Sequence, residues 1–204
     1  MKYVSALAVL LGLLAVNPAA MAAPDSKAYK IDPSHTRVLF FVDHFGLVKM
    51  PGHAQGISGQ IDFNFKAVEA SKVDLTIDAK KLGMDFQPLD DKLQGKEFFN
   101  TDQFPTMTFK STKIVKTGVE SARMTGDFTL LGVTRPVTLE VKFNGRKWNK
   151  YMGLESAGFS ATGQLRRSDF GMKSYLPDIG DVVPLSIIVE ADEIRPEAAI
   201  PHGK

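Results

Sequence analysis

Between Ala122 and Phe143 the chain alternates apolar and polar residues almost without a break. On a first arm Ala122, Met124, Gly126, Phe128 and Leu130 share one face, and Arg123, Thr125, Asp127 and Thr129 share the other. On a second arm Val137, Leu139, Val141 and Phe143 alternate with Thr138, Glu140 and Lys142. Successive side chains of a strand point to opposite faces, so period two specifies two half-buried strands. Gly132 and Pro136 punctuate the link, and Pro136 is expected to open the second strand, where a missing N–H costs little. The product is a hairpin with one apolar and one wet face. Function turns on what covers the apolar face, a solid core or a cavity.

The same alternation returns along the chain. Val38, Phe40, Val42 and His44 share a face, as do Ile57, Gly59, Ile61 and Phe63, and then Val73, Leu75 and Ile77. Met107, Phe109 and Ser111 follow after a break. Beyond the hairpin come Phe159, Ala161, Gly163 and Leu165, then Val183, Leu185, Ile187, Val189 and Ala191. About eight strands result, joined by turn-rich links such as Lys116-Thr117-Gly118 and Asn144-Gly145. Successive strands without intervening helices predict an all-β, antiparallel sheet that curls into a barrel or sandwich. The exception is Leu82 to Pro105, too long for a hairpin loop. Leu89 and Leu93 stand at helical spacing there, so the region near 85–104 is read as a short helical insertion across one end of the sheet, either a functional lid or a plug.

The first residues have another purpose. Lys2 precedes an apolar run from Val4 to Val16, and Ala20-Met21-Ala22 places small residues where a signal peptidase reads them. The run is shorter than the roughly 20 residues that span a bilayer. Residues 1–22 are therefore expected to be a cleaved export signal, with cleavage after Ala23 the near alternative, and the mature chain to be periplasmic. Residues 23–192 then form one domain, and 193–204, with Pro196 and Pro201, a loose tail. Losing Lys2 lowers the formal charge from +2 to +1. So balanced a chain lacks the basic face that nucleic acid requires. The chain has no cysteine, which removes disulfides, thiolate metal sites, thiol catalysis and lipid attachment together.

Reactive side chains are sparse. His35, His44 and His53 stand nine apart, which puts successive histidines on opposite faces of a continuous strand and speaks against a shared metal. His35, after Asp32-Pro33-Ser34, suits turn or strand-start hydrogen bonds, and His44 suits either an interior site or a cavity mouth. Asp169-Phe170-Gly171 copies a kinase magnesium motif by letter, but the glycine-rich loop, strand lysine and catalytic loop are missing. No nucleophile elbow, His-Glu-x-x-His or phosphate loop is present. Catalytic residues, metal and cofactor are accordingly not expected.

Several separated stretches resemble the YceI-like proteins, secreted or cytosolic lipocalin-like barrels described as polyisoprenoid-binding. They are Tyr29-Lys30-Ile31-Asp32-Pro33-Ser34-His35-Thr36, Val38 to Gly46, Phe98-Phe99-Asn100-Thr101, Phe104 to Thr112, Gly126 to Val141, Arg167 to Met172 and Asp181 to Ala191. One departure stands out. The family's Arg-Asp-x-His-Leu stretch corresponds to Leu89-Asp90-Asp91-Lys92-Leu93, without the arginine and histidine. The resemblance implies a barrel of about eight strands around an elongated apolar interior that holds an isoprenoid chain.

The inward faces suit that ligand. Gly59, Gly126, Ala161, Gly163 and Ala191 either leave room along the axis or relieve strand curvature. The expected cavity wall comprises Val38, Phe40, Val42 and His44, then Ile61, Phe63, Leu75 and Ile77. The insertion adds Phe98 and Phe99. Phe109, Met124, Phe128, Leu139 and Val141 follow, with Phe159, Leu165, Leu185 and Ile187 closing the circuit. The expected function is to carry or sequester a polyprenyl or quinone-like lipid, with a transient membrane contact as a further partner. The alternatives are a fatty acid or amide carrier, an enzyme acting on such a lipid, and an outer-membrane barrel with its apolar face toward lipid.

Overall fold

A computed structural model describes residues 25–195; the expected export signal and nearly all of the tail lie outside them. The strands are β1 (Ser26–Ile31), β2 (Arg37–His44), β3 (Val48–Ala54), β4 (Ile57–Asn64), β5 (Lys72–Asp78) and β6 (Leu82–Gly83). The insertion contributes one α-helix, α1 (Gln87–Gln94). Then come β7 (Thr106–Lys116), β8 (Ser121–Leu130), β9 (Val133–Asn149), β10 (Leu154–Arg166) and β11 (Val182–Glu193). No helix among the described residues is long and apolar enough to cross a membrane.

All pairings are antiparallel. β1, β4, β5, β7, β8, β9, β10 and β11 follow one another around a ring, and β1 pairs with β11 to close it. An eight-stranded barrel is the result, and closure rules out a sandwich. β11 serves two partners in turn, pairing Ala191 with Ile31 of β1 and Ile187 with Val38 of β2. Beyond β2 the sheet extends through β3 to β6.

The structure corrects the strand reading at several points. β1, β3 and β6 are additional. β3 carries Pro51 and Gly52 and is exposed at Val48–Pro51, so it shows no apolar stripe. Asn144-Gly145 is not a turn: β9 runs through it, and the register with β10 slips beside Gly158. Gly145, at φ +122°, takes a conformation that side chains rarely adopt, as a bulge requires. The true turn lies beyond, where Gly153 N donates to Asn149 O at 2.8 Å. Nor does Pro136 open its strand. β9 starts at Val133 after the Leu131-Gly132 turn, both residues at positive φ. Pro136 faces Asp127 of β8, and pairing with β10 begins only at Leu139. One edge of β9 is thus uncovered at Pro136, and the missing N–H breaks no ladder there.

The alternating turns define two ends. α1, the β2–β3 turn, the β8–β9 turn and the β10–β11 link gather at one. Phe45 N donates to Asp178 O at 2.7 Å, and Lys92 Nζ to the Tyr175 hydroxyl at 2.8 Å. The β4–β5 link and the β7–β8 and β9–β10 turns occupy the far end.

Candidate functional site

The apolar faces of the strands turn inward and line a cavity of about 800 Å³, in the upper part of the range of small-molecule sites. On the outer surface charges pair across strands, as in Arg123 Nε to Glu140 Oε1 at 2.6 Å. That orientation is opposite to a barrel whose apolar face meets lipid.

Period two aims each wall residue. From β2 come Val38, Phe40, Val42 and His44; from β4, Ile61 and Phe63; from β5, Leu75 and Ile77. Phe98 and Phe99 of the insertion line the cavity, as do Phe109 of β7, Met124 and Phe128 of β8, and Leu139 and Val141 of β9. Phe159, Leu165, Leu185 and Ile187 complete the circuit. The structure therefore brings together the residues expected at the wall.

The small residues explain less than their size suggests. A Cβ on Gly126 would lie 2.3 Å from Phe109 Cζ and 2.7 Å from Lys110 O. One on Gly163 would lie 2.6 Å from Leu139 Cδ2. Neighbouring side chains already cover both glycines, which serve close packing and curvature rather than open volume. Ala191 is fully buried and off the wall. Of the five, Ala161 alone lines the cavity.

Alternation missed other wall residues. Between Ser111 and Lys113 the register of β7 slips by one residue, so the inward positions change parity and Ile114 joins the wall. Phe65, past the end of β4, packs edge-on to Phe63 with centroids 4.7 Å apart. Phe63, Phe65, Phe143 and Phe159 form one aromatic cluster at the far end. Met172, Tyr175 and Ile179 of the β10–β11 link also reach the cavity.

Arg167 holds that link in place. Its side chain is almost fully buried, and the guanidinium donates to three carbonyls: Gly180 O at 2.9 Å, Met172 O at 3.2 Å and Ile179 O at 2.6 Å. Burial draws its pKa below the ordinary arginine value, against the field of Asp181. In Asp169-Phe170-Gly171, Phe170 is buried edge-on to Phe128 and Gly171 ends the turn in a left-handed conformation. The motif caps a barrel end.

Polar groups concentrate at the ends. At the insertion end the wall includes His44, Lys92, Tyr175 and Asp178, beside half-exposed Phe45 and Met50. His44 thus occupies a mouth rather than the interior. At the far end it includes Lys66, Lys116, Val119 and Glu120. Between the ends the lining is mainly apolar, which suits a long slim chain with a polar head at an opening.

The three histidines lie apart. His35 Nδ1 bonds Asp32 Oδ2 at 2.6 Å, and His53 stands 3.8 Å from Asp85. Asp32, His35 and Glu190 bring potential metal-ligand atoms within 4.8 Å, but on the outside and around an existing Asp32–His35 bond. Burial pushes the Asp32 carboxyl up, while bonds from His35 and from the Ser34 hydroxyl and amide outweigh it and hold the pKa at about 2. The same bond raises the pKa of His35. Near the far end, the buried Tyr29 donates to Glu155 Oε1 at 2.6 Å, which Lys27 and Arg146 also approach. Burial and that carboxylate raise the Tyr29 pKa.

A family model described as the YceI-like domain matches residues 29–191. A UPF0312 protein from Enterobacter sp. (strain 638) is 37% identical over 186 residues, covering 90% of this chain and 94% of that protein. Among solved structures, the YCEI protein of Campylobacter jejuni is 32% identical with a TM-score of 0.67, over 75% of this chain and 90% of that one. A polyisoprenoid binding domain from Saccharophagus degradans, implicated in plant cell wall breakdown, shares the fold at 14% identity. Its TM-score is 0.59, over 82% of this chain and 99% of that one.

Proposed function

Since the chain belongs to the YceI-like family, we propose that it binds a polyisoprenoid lipid, polyprenyl or quinone-like, and carries or sequesters it in the periplasm. The observation that carries this reading is the cavity of about 800 Å³ bounded mainly by apolar side chains inside a closed barrel. The solved domain from Saccharophagus degradans, named for polyisoprenoid binding, supports the same ligand class on the same fold.

Binding follows from burial. Each CH₂ taken from water contributes about 0.8 kcal/mol, so a tail of many carbons needs no charged anchor. Selectivity then comes from length and shape, while a polar head sits among the groups at a cavity end. No catalytic step is assigned, because the polar groups lie at the rims and in backbone-pinning roles. Export is inferred from residues 1–22 alone.

Displacement of a fluorescent apolar probe tests this reading. Polyprenyl compounds should displace it more tightly than fatty acids or fatty amides. Ala161→Phe, which fills the wall from a small position, should lower affinity for all of them. Tighter binding of fatty acid than of any isoprenoid would move the assignment to the alternative amphiphile, and turnover of bound lipid would make the protein an enzyme.

A further inference from the structure

The β9–β10 hairpin tip has a composition that the cavity does not explain. From Val141 to Leu154 the chain carries Lys142, Arg146, Lys147 and Lys150 and no carboxylate. Interleaved with them, Trp148 is 57% exposed, Tyr151 86% and Met152 64%. Arg195 lies over the Trp148 ring at 4.7 Å and Lys150 over Tyr151 at 5.0 Å, so cations and rings are presented together. Among the described residues no carboxylate pairs with Lys147 or Lys150.

The tip is continuous with the cavity end. Arg146 sits over the Phe65 ring at 4.2 Å, and Phe65 lines the cavity. Phe143 N donates to Glu120 O at 2.8 Å, tying β9 to the β7–β8 turn. In that turn Val119 is 94% exposed and also lines the cavity, beside Lys116.

We infer that this end of the barrel docks on an anionic lipid bilayer through Trp148, Tyr151, Met152 and Val119, with Lys116, Lys147 and Lys150 facing the headgroups. Tryptophan and tyrosine favour the boundary between headgroup and acyl chain, where an apolar body and a polar tip are both satisfied. Lysines beside them gain from the negative surface potential and keep their charge in the headgroup layer. Docking would set the cavity end against the layer from which an isoprenoid could enter. The inference rests on the carrier reading for its purpose, though its test does not.

Trp148 is the chain's one tryptophan and reports directly. With vesicles of phosphatidylglycerol and phosphatidylcholine its emission should shift to the blue, be quenched by brominated acyl chains and recover as salt rises. Vesicles of phosphatidylcholine alone should bind at least about tenfold more weakly. Lys147→Glu with Lys150→Glu should weaken binding to anionic vesicles by at least about tenfold. Leu47→Glu, on the β2–β3 turn at the opposite end, should leave it unchanged.

An unshifted Trp148, binding that survives the double charge reversal, or loss caused by Leu47→Glu would overturn the inference. So would binding to a soluble polyanion such as heparin as tight as to the vesicles. Probe displacement by dispersed isoprenoid, measured without vesicles, confirms that each variant is folded and keeps failure of docking distinct from failure of the carrier reading.

Discussion

At the scale of single residues, the turn before β2 has the most sharply defined chemistry. Asp32 accepts from the Ser34 amide at 2.8 Å and from its hydroxyl at 2.6 Å, and bonds His35 as well. His35 has a raised pKa when folded, so its contribution is complete below about 6.5, the unfolded value, and fades as pH rises through the folded one. Asp32 has a depressed pKa, so its contribution is complete above 3.8 and fades as pH falls toward about 2. An NMR titration should place the His35 midpoint above the ordinary histidine value, and Asp32→Asn should bring it back. An unshifted midpoint in the unmodified protein would show that the bond does not persist in solution. The turn role of His35 was legible from Asp32-Pro33-Ser34 because those residues are local in sequence. Whether His44 faced the interior or a mouth was not, because the β10–β11 link that meets it comes from far along the chain.

At the scale of elements, alternation located the long two-faced strands and the insertion, and it failed where a strand lacks a stripe or changes parity. β3 is exposed on both faces from Val48 to Pro51, so no buried face imposes apolar alternation there. The slip after Ser111 hid Ile114, and the one at Asn144 made a through-strand look like a turn. Bulges show faintly in sequence because they need only one extra residue. Glycines mislead in a related way. Gly126 looks like empty space in a list of inward residues, yet the Phe109 ring occupies it. Gly126→Ala should therefore cost about 1–3 kcal/mol through overpacking. The expected signature is a lower urea midpoint with an unchanged slope. A neutral outcome would mean that the ring swings aside and that β7 and β8 pack more loosely than described.

At the scale of the whole molecule, the sequence carried the all-β class and the inward wall, because burial imposes period two on every strand of a closed barrel. Alternation did not carry the closure, which the resemblance to the YceI-like proteins implied and the structure bears out. Closure depends on β11 pairing with β1, a segment far from it in sequence. Nor could alternation alone separate a solid core from a cavity, since both ask for the same apolar face. Inner rings meet across the barrel at the far end, where Phe63 stacks on Phe143, but the side chains do not fill the rest of the interior, leaving about 800 Å³. An eight-stranded barrel is near the size at which either outcome is available. The central claim is that this space holds an isoprenoid chain. Native mass spectrometry with lipid extraction, on protein purified without detergent, tests it most directly. The account predicts a bound polyprenyl or quinone-like lipid, released on denaturation. Empty protein that also takes up no added polyprenyl compound would contradict it.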